Sequence, residues 1–302
     1  MPEVDVVVVS YNSADRLRAC VEPLAATGWA HVVVADSAST DDSLGSLAGL
    51  PVKTIPLAEN RGFAHGCNAG ARSGGAPYVL LLNPDATLAP EALERMVQVA
   101  EEDPAVGAVA PRITEPDGTL DWSQRRFPRL RSTFAQAFFL HRFFPLAPWT
   151  DELVRDASAY EEPASPEWAS GACLLIRRPA LERLGGLDEG FFLYCEDMDL
   201  CKRLRDAGLD VRYEPGAVCI HEGGASAPRA ALLPVLAASR IRYARKHRSL
   251  HVAMLERLGV VLGGLTHALV TKGGRAARRG NLRAVARALE PRPRPGLDEP
   301  VT

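Results

Sequence analysis

The chain has 302 residues, 47% hydrophobic and 24% charged, with 35 Lys and Arg against 37 Asp and Glu. That suits one large domain, or a domain plus an appendage, around a buried core, and excludes a wholly disordered or collagen-like polymer. No uninterrupted apolar run reaches the roughly eighteen residues a spanning helix needs, which argues against an integral membrane protein.

Met1-Pro2-Glu3-Val4-Asp5 carries acids where a secretion signal needs basic residues, so a cytoplasmic protein is expected. Six dispersed cysteines, Cys20, Cys67, Cys173, Cys195, Cys201 and Cys219, form no C-x-x-C pair and read as reduced, packed thiols. The small net charge hides a division. Residues 229–289 hold thirteen Lys and Arg and one acid, a balance of +12, which leaves −14 for the rest. A basic segment on an acidic body suggests an anionic partner, either nucleic acid or a bilayer surface.

In chain order, Val4–Ser10 is a β-branched run that reads as a buried strand, followed by a turn in which Asn12 or Ser13 can cap a helix carrying Leu17, Cys20, Val21 and Leu24. Further strands are expected at His31–Ala35, Val52–Leu57 and Tyr78–Leu82, with helices at Phe63–Ser73 and Glu91–Glu102. This alternation implies a mostly parallel α/β sheet covered on both faces. Ligands of such sheets bind beyond the carboxyl ends of the strands. Ser10, Tyr11, Asp36 and Asp85 sit at such ends.

From Glu115 to Ser165 the pattern loosens into an irregular lid or acceptor region. Trp168–Arg177 reads as one strand, Glu196–Ala207 as a helix and Asp210–Tyr213 as a short strand. Val218–His221 follows, then the basic segment as helices and a loose tail over 290–302.

Several residues suggest chemistry. Asp36 either caps a turn or accepts hydrogen bonds from a nucleotide base or ribose. Asn83-Pro84-Asp85 either ends a strand or supplies oxygen ligands to a divalent cation whose shell substrate phosphates complete. Glu196-Asp197-Met198-Asp199 complements a helix N-terminus, yet carboxylates behind the apolar run Phe191–Tyr194 also suit a general base. His221 is either a structural histidine or the ligand that Asp85 by itself lacks. No phosphate-binding glycine fingerprint occurs, which argues against dinucleotide and P-loop sites.

Together, Val6–Ser13, Val33–Asp41, Asn60-Arg61-Gly62-Phe63-Ala64 with Asn68, Leu81–Asp85, Trp168–Ala172, Gly185–Glu189, Tyr194–Leu200 and His221-Glu222-Gly223-Gly224 resemble the family 2 glycosyltransferases of the GT-A fold. The resemblance covers about residues 4–250. It is strongest to rhamnosyltransferases acting on polyprenyl-diphosphate-GlcNAc, through Asn83-Pro84-Asp85, the Pro116-Asp117-Gly118 turn, Ser123 with Arg125, Arg126 and Pro128, and the Trp168 element.

That resemblance implies a mixed sheet flanked by helices, with residues 1–228 as the catalytic domain and 229–289 as basic amphipathic helices. It implies a dTDP-β-L-rhamnose donor, Mg²⁺ or Mn²⁺, a lipid-diphosphate sugar acceptor and inversion at the anomeric carbon. Asp197 would be the general base, with Glu196 the other candidate. Ser10, Tyr11, Asn12, Asp36, Asn60, Arg61, Asn68 and Asn83 would face the donor. Asp85 and His221 would hold the metal, and Trp168, Arg125 and Arg126 the acceptor.

Leu255, Leu258, Leu262, Leu265 and Leu269 form one helical stripe. It either packs onto the body or a second subunit, or lies with the basic residues on the anionic inner face of the plasma membrane. Rival readings are another donor such as a galactofuranose or deoxyhexose nucleotide, a nucleotidyltransferase, and a nucleic-acid-binding protein. Against the last, no aromatics beyond Tyr243 interleave with the arginines, so no nucleic-acid partner is expected.

Overall fold

The computed structural model describes residues 2–223, 228–271 and 273–296. Gly224 of the His221–Gly224 motif, Lys272 of the basic segment and residues 297–302 of the tail lie outside them.

Strand β1 (Val4–Ser10) is buried along its whole length. It pairs in parallel with β2 (Ala30–Asp36) and β4 (Tyr78–Leu82), and β2 pairs with β3 (Lys53–Pro56). Period-2 alternation sends Val4, Val6 and Val8 to one face, where they meet Leu17 and Leu24 of α1 (Leu17–Ala25) and a layer that includes Leu93 and Met96. Val7 and Val9 reach the other face, over α2 (Phe63–Arg72). There Gly66 and Gly70 leave room for the valines: a Cβ at either glycine would stand under 3 Å from a valine methyl group.

The sheet continues through β5 (Ala86–Leu88) and β6 (Val106–Thr114), strands the sequence pattern did not mark, on either side of α3 (Pro90–Glu102), the helix expected at Glu91–Glu102. A small ribbon joins β7 (Gln124–Arg125) to β8 (Trp168–Ala169), with α4 (Leu130–Ala137) between them in the chain. Then come β9 (Cys173–Arg177), α5 (Arg178–Arg183), α6 (Glu196–Asp206) and β10 (Asp210–His221). The eight-stranded order is β3-β2-β1-β4-β9-β6-β10-β5. The four strands from the first hundred residues that form one side, β3-β2-β1-β4, are parallel as expected, and the reversed strands β9 and β5 make the whole sheet mixed.

Three local expectations change. Trp168–Arg177 is two strands in different sheets, because the chain breaks at Ser170-Gly171-Ala172, where Gly171 turns to the α6 carboxylates. Asp210–His221 is one strand with a register shift between Glu214 and Val218. Neither Asn12 nor Ser13 caps α1 with its side chain: Asn12 is left-handed (φ 51°) and its Oδ1 accepts from the Thr40 amide at 2.8 Å.

Three C-terminal helices follow, α7 (Arg229–His247), α8 (Leu250–Val270) and α9 (Gly274–Leu289). Helix α8 corrects the expectation about apolar length. By length and composition it is the one described helix able to cross a membrane, although its window of mean hydropathy 1.3 is only 22% buried. It docks on α4 through Glu256, whose oxygens accept from Thr133 at 2.8 Å, and through Thr266, which donates to the Ala137 carbonyl. The opposite stripe, with Leu258, Leu265 and Leu269, faces outward. Residues 290–296 form no helix or strand, yet Arg245, Arg257 and Arg287 donate to their carbonyls. All six cysteines are buried free thiols.

Candidate active site

At the end of β4 the chain turns sharply: the Asn83 amide donates to the Ala172 carbonyl at 2.8 Å, and the Ala86 amide to the Asn83 carbonyl at 3.1 Å. The turn feeds β5, which pairs with the last residues of β10 so that Ala86 stands opposite His221. That pairing brings Asp85 Oδ1 to 3.2 Å from His221 Nε2, with Asn83 Nδ2 3.2 Å from the same nitrogen. Burial alone would push the Asp85 carboxyl up, but the hydrogen bond and charge of His221 outweigh it and hold the carboxyl below its usual range. Burial likewise lowers the His221 imidazole, and Asp85 more than offsets this, so it binds its proton more tightly than usual.

The Asp85 carboxylate on the rim of the cleft suits Mg²⁺ or Mn²⁺, and the His221 imidazole could join it as a ligand once its proton is displaced, while Asn83 turns its Nδ2 toward that imidazole. Among the described residues no three His, Cys, Asp or Glu side chains form a self-sufficient cage. A diphosphate would therefore have to complete the shell.

The α6 carboxylates are set by backbone geometry. Tyr194 and Cys195 both adopt φ 68°, a conformation that costs non-glycine residues about 1–3 kcal/mol each, and α6 begins directly after them. Three contacts hold the preceding loop. The Phe63 amide donates to Phe192 O at 2.8 Å, Ser239 Oγ donates to Leu193 O at 2.8 Å, and Gly62 packs on Phe192. Asp197 Oδ2 accepts from the Gly171 amide at 2.9 Å and Oδ1 from the Met198 amide at 2.7 Å.

Burial pushes the Asp197 carboxyl up, and these amides only partly counter it. Glu196 is buried with Oε2 unpaired; burial first, then the charge of Asp197, pushes it up to about 8. A basic carboxylate beside a neutral one is an arrangement suited to proton abstraction.

One cleft of about 790 Å³ joins both groups. Tyr11, Asn60, Asn83, Asp85 and His221 line it, as do Trp168, Arg125, Glu196 and Asp197. The Arg125 guanidinium lies 5.2 Å from the centre of the Trp168 ring, and Trp168 Nε1 donates to Arg126 O.

Other expected residues are not brought to its lining. Asp36 accepts from the Ser39 amide and hydroxyl, and Ser37 lines the cleft beside it. Ser10 is fully buried next to Asp36 in the sheet, and Asn12 ties two loops together. Asn68 is a buried clip: Nδ2 donates to Leu187 O and Glu189, and Oδ1 accepts from the Leu187 amide. Arg61 is half-exposed near Glu59 and Glu189. Arg126 is spent on the Leu153 and Glu152 region, its Nη1 donating to Leu153 O at 3.0 Å.

Residues 5–185 match the family described as Glycosyl transferase family 2. The chain belongs to glycosyltransferase family 2. It is 32% identical over 240 residues to the N-acetylglucosaminyl-diphospho-decaprenol L-rhamnosyltransferase of Mycobacterium tuberculosis, a stretch covering 74% of this chain and 77% of that one. To the rhamnosyltransferase WbbL of Escherichia coli it is 28% identical over 230 residues, covering 72% and 83%. Among solved structures, the mannosyltransferase PcManGT from Pyrobaculum calidifontis in complex with GDP-Man and Mn²⁺ aligns with TM-score 0.59 at 19% identity, over 95% of this chain and 87% of that one. The expected fold and enzyme class are thereby borne out: this family 2 glycosyltransferase has a GT-A sheet, with the C-terminal helices docked on α4 and α6.

Sequence reasoning missed the far arm of the transferase's cleft. Gln136 lines it from α4, His141, Arg142 and Arg155 from the segment after α4, Arg229, Leu232, Leu236 and Arg240 from α7, and His267 from α8. No spacing in the sequence connects these segments, although Phe138–Trp149 is an aromatic cluster in a chain with 6% aromatics.

Proposed function

We propose that this transferase moves L-rhamnose from dTDP-β-L-rhamnose to a polyprenyl-diphosphate-linked GlcNAc, with inversion and with Mg²⁺ or Mn²⁺. The observation that carries the reading is the shared cleft, with the Asp85–His221 pair at one place on its wall and Asp197 at another. The rhamnosyltransferase relatives support the sugar and the acceptor class.

Asp197 takes the proton of the acceptor hydroxyl, whose oxygen attacks the anomeric carbon from the face opposite dTDP. The raised basicity of Asp197 favours this transfer, and positioned bases contribute about 10²–10⁴-fold. Protonated Glu196 keeps a second negative charge away from the base. Asp85 and His221, with Asn83 beside them, would hold the cation. When bound, it supplies Lewis-acid neutralisation of the charge that gathers on the departing diphosphate. Tyr11 and Asn60 line the donor side, and Trp168 offers the acceptor sugar an aromatic face.

Residues 1–228 then form the catalytic domain and 229–289 a helical extension that completes the cleft wall and lies on the anionic inner face of the plasma membrane. Incubation of the full chain with polyprenyl-diphosphate-GlcNAc and a panel of nucleotide sugars tests the reading. Transfer from dTDP-rhamnose, lost on EDTA treatment and restored by Mg²⁺ or Mn²⁺, is expected. Transfer from a different donor alone, or turnover indifferent to EDTA, would refute it.

A further inference from the structure

Part of the same cleft, its arm, is lined by the segment after α4 and by α7 and α8. This arm is cationic in a specific way. Arg240 is neutralised by Glu152 and Glu256, and Arg155 donates to Asp151 at 2.7 Å. Arg142 and Arg229 have no carboxylate at ion-pair distance among the described residues. The Arg142 guanidinium instead lies 4.4 Å from the centre of the Phe139 ring, with His267 packed on the same ring at 4.5 Å. Burial lowers the proton affinity of His267, and the nearby charges of Arg142, His141 and Arg229 lower it further, which puts both arginines beside this ring.

The chain on either side of His141 and Arg142 is apolar and exposed. The segment that supplies His141 and Arg142 packs five Phe and Trp residues into positions 138–149. Phe143 is 76% exposed and Leu146 68%. An exposed apolar patch of this kind marks an interaction surface. It adjoins α8, because the Ala137 carbonyl accepts from Thr266 and Phe139 packs on His267. The outward leucine stripe of α8 belongs to the same helix.

We infer that this arm is a lipid-diphosphate subsite, in which Arg142 and Arg229 meet the acceptor's diphosphate and its prenyl chain leaves across Phe143 and Leu146. This rests on the transfer reading above. Unneutralised cations flanked by exposed apolar chain match a diphosphate ester of a long isoprenoid. A soluble nucleotide sugar has nothing to place on that apolar surface. The charge of Arg229 acts on Tyr194, just before the α6 carboxylates, and with that of Arg142 on His267, so a diphosphate held there would stand next to a sugar at Asp197 and Trp168.

The test uses the full chain and two acceptors, GlcNAc-diphosphate on a long prenyl chain and on a short alkyl chain. Arg142→Gln and Arg229→Gln should each raise the acceptor KM about tenfold or more, as expected for losing a hydrogen bond to a charged group, while the donor KM moves less than twofold. The double variant Phe143→Ser with Leu146→Ser should lower the preference for the long chain over the short one, read as the ratio of kcat/KM. Calorimetric binding of the long-chain acceptor reads the same site without turnover, and thermal denaturation of each variant checks folding.

Unmoved acceptor KM and binding in folded arginine variants would overturn the inference and leave the transfer reading standing. So would a chain-length ratio unchanged in the double variant, or a double variant whose only change is conversion of a dimer to a monomer. A wild-type chain that binds the acceptor but does not transfer rhamnose would sink the transfer reading and leave the subsite in place.

Discussion

Gly171 and Asp197 hold each other: the glycine amide donates to Asp197 Oδ2 at 2.9 Å, and a Cβ on the glycine would stand 3.0 Å from the Asp197 Cβ. The break between β8 and β9 thus serves as the backstop of the proposed base. Asp197→Asn should lower turnover by about 10²-fold or more while donor binding persists, because the amide has the size of the carboxylate but takes no proton and can accept from only one of the two backbone amides with its single oxygen. Gly171→Ala should lower kcat with the donor KM little changed, since the added methyl group displaces the carboxylate by tenths of an ångström. Near-normal rates in Asp197→Asn, measured in initial-velocity assays, would remove that residue from the role.

Glu196 links stability to pH. Its folded carboxyl is held above the ordinary glutamate range, to about 8, so the folded state binds the proton more tightly than the unfolded chain. The associated stability is fully present below the unfolded value and is lost as pH rises through about 8. Asp197, also raised, adds a slope of the same sign. Melting temperatures of the wild type should therefore fall across this window more than other groups explain, and Glu196→Gln should flatten the fall. An unchanged slope in the variant would contradict the buried, protonated state.

Gly62 occupies φ 95°, and a Cβ there would lie 2.1 Å from the Phe192 carbonyl oxygen, a backbone atom that cannot swing aside. Gly62→Ala should cost about 1–3 kcal/mol, measured by chemical denaturation. Because the same contact seats the loop before α6, activity should fall at temperatures where the variant is still folded.

Helix α7 braces α6 through Asp199, which is fully buried and accepts from Arg203 of its own helix at 2.7 Å and from Lys246 and His247 of α7 at 2.7 Å. His247→Ala should reduce kcat more than it changes either KM, because it loosens the helix that carries Asp197 without touching substrate. Rescue by His247→Gln, which keeps a donor, is expected; equal loss in both variants would mean that packing alone matters there.

The outward stripe of α8 predicts vesicle association. Leu258→Glu with Leu265→Glu should abolish co-flotation with anionic vesicles at low salt, since each leucine is more than a third exposed and Glu256 keeps the other side docked. Wild-type chain that fails to float at low salt would refute the peripheral attachment.

Much of this was legible in the sequence because it depends on local pattern. The run Val4–Ser10 can only be a buried central strand, and acids behind an aromatic run at Phe191–Asp199 mark a helix start whatever lies around them. The ordered motifs from Val6 to Gly223 carried the family and the enzyme class. The short strand β5 was not legible, since three residues of Ala86–Leu88 have no period to read and are a strand only because β10 offers them an edge. That edge decides that Asp85 meets His221, 136 positions away. Asn68, Arg126 and Asn12 carry groups able to bind a substrate, and only the folded chain shows that they meet Leu187, Leu153 and Thr40. The far arm, from segments near 142, 229 and 267, was invisible for the same reason: side-chain convergence over long separations is set by packing, which no periodicity encodes. Composition and alternation determined the layers and the enzyme family, while the partner each polar group meets was decided by the tertiary structure, because hydrogen bonds and charge pairs are short-ranged and depend on positions that only the assembled layers supply.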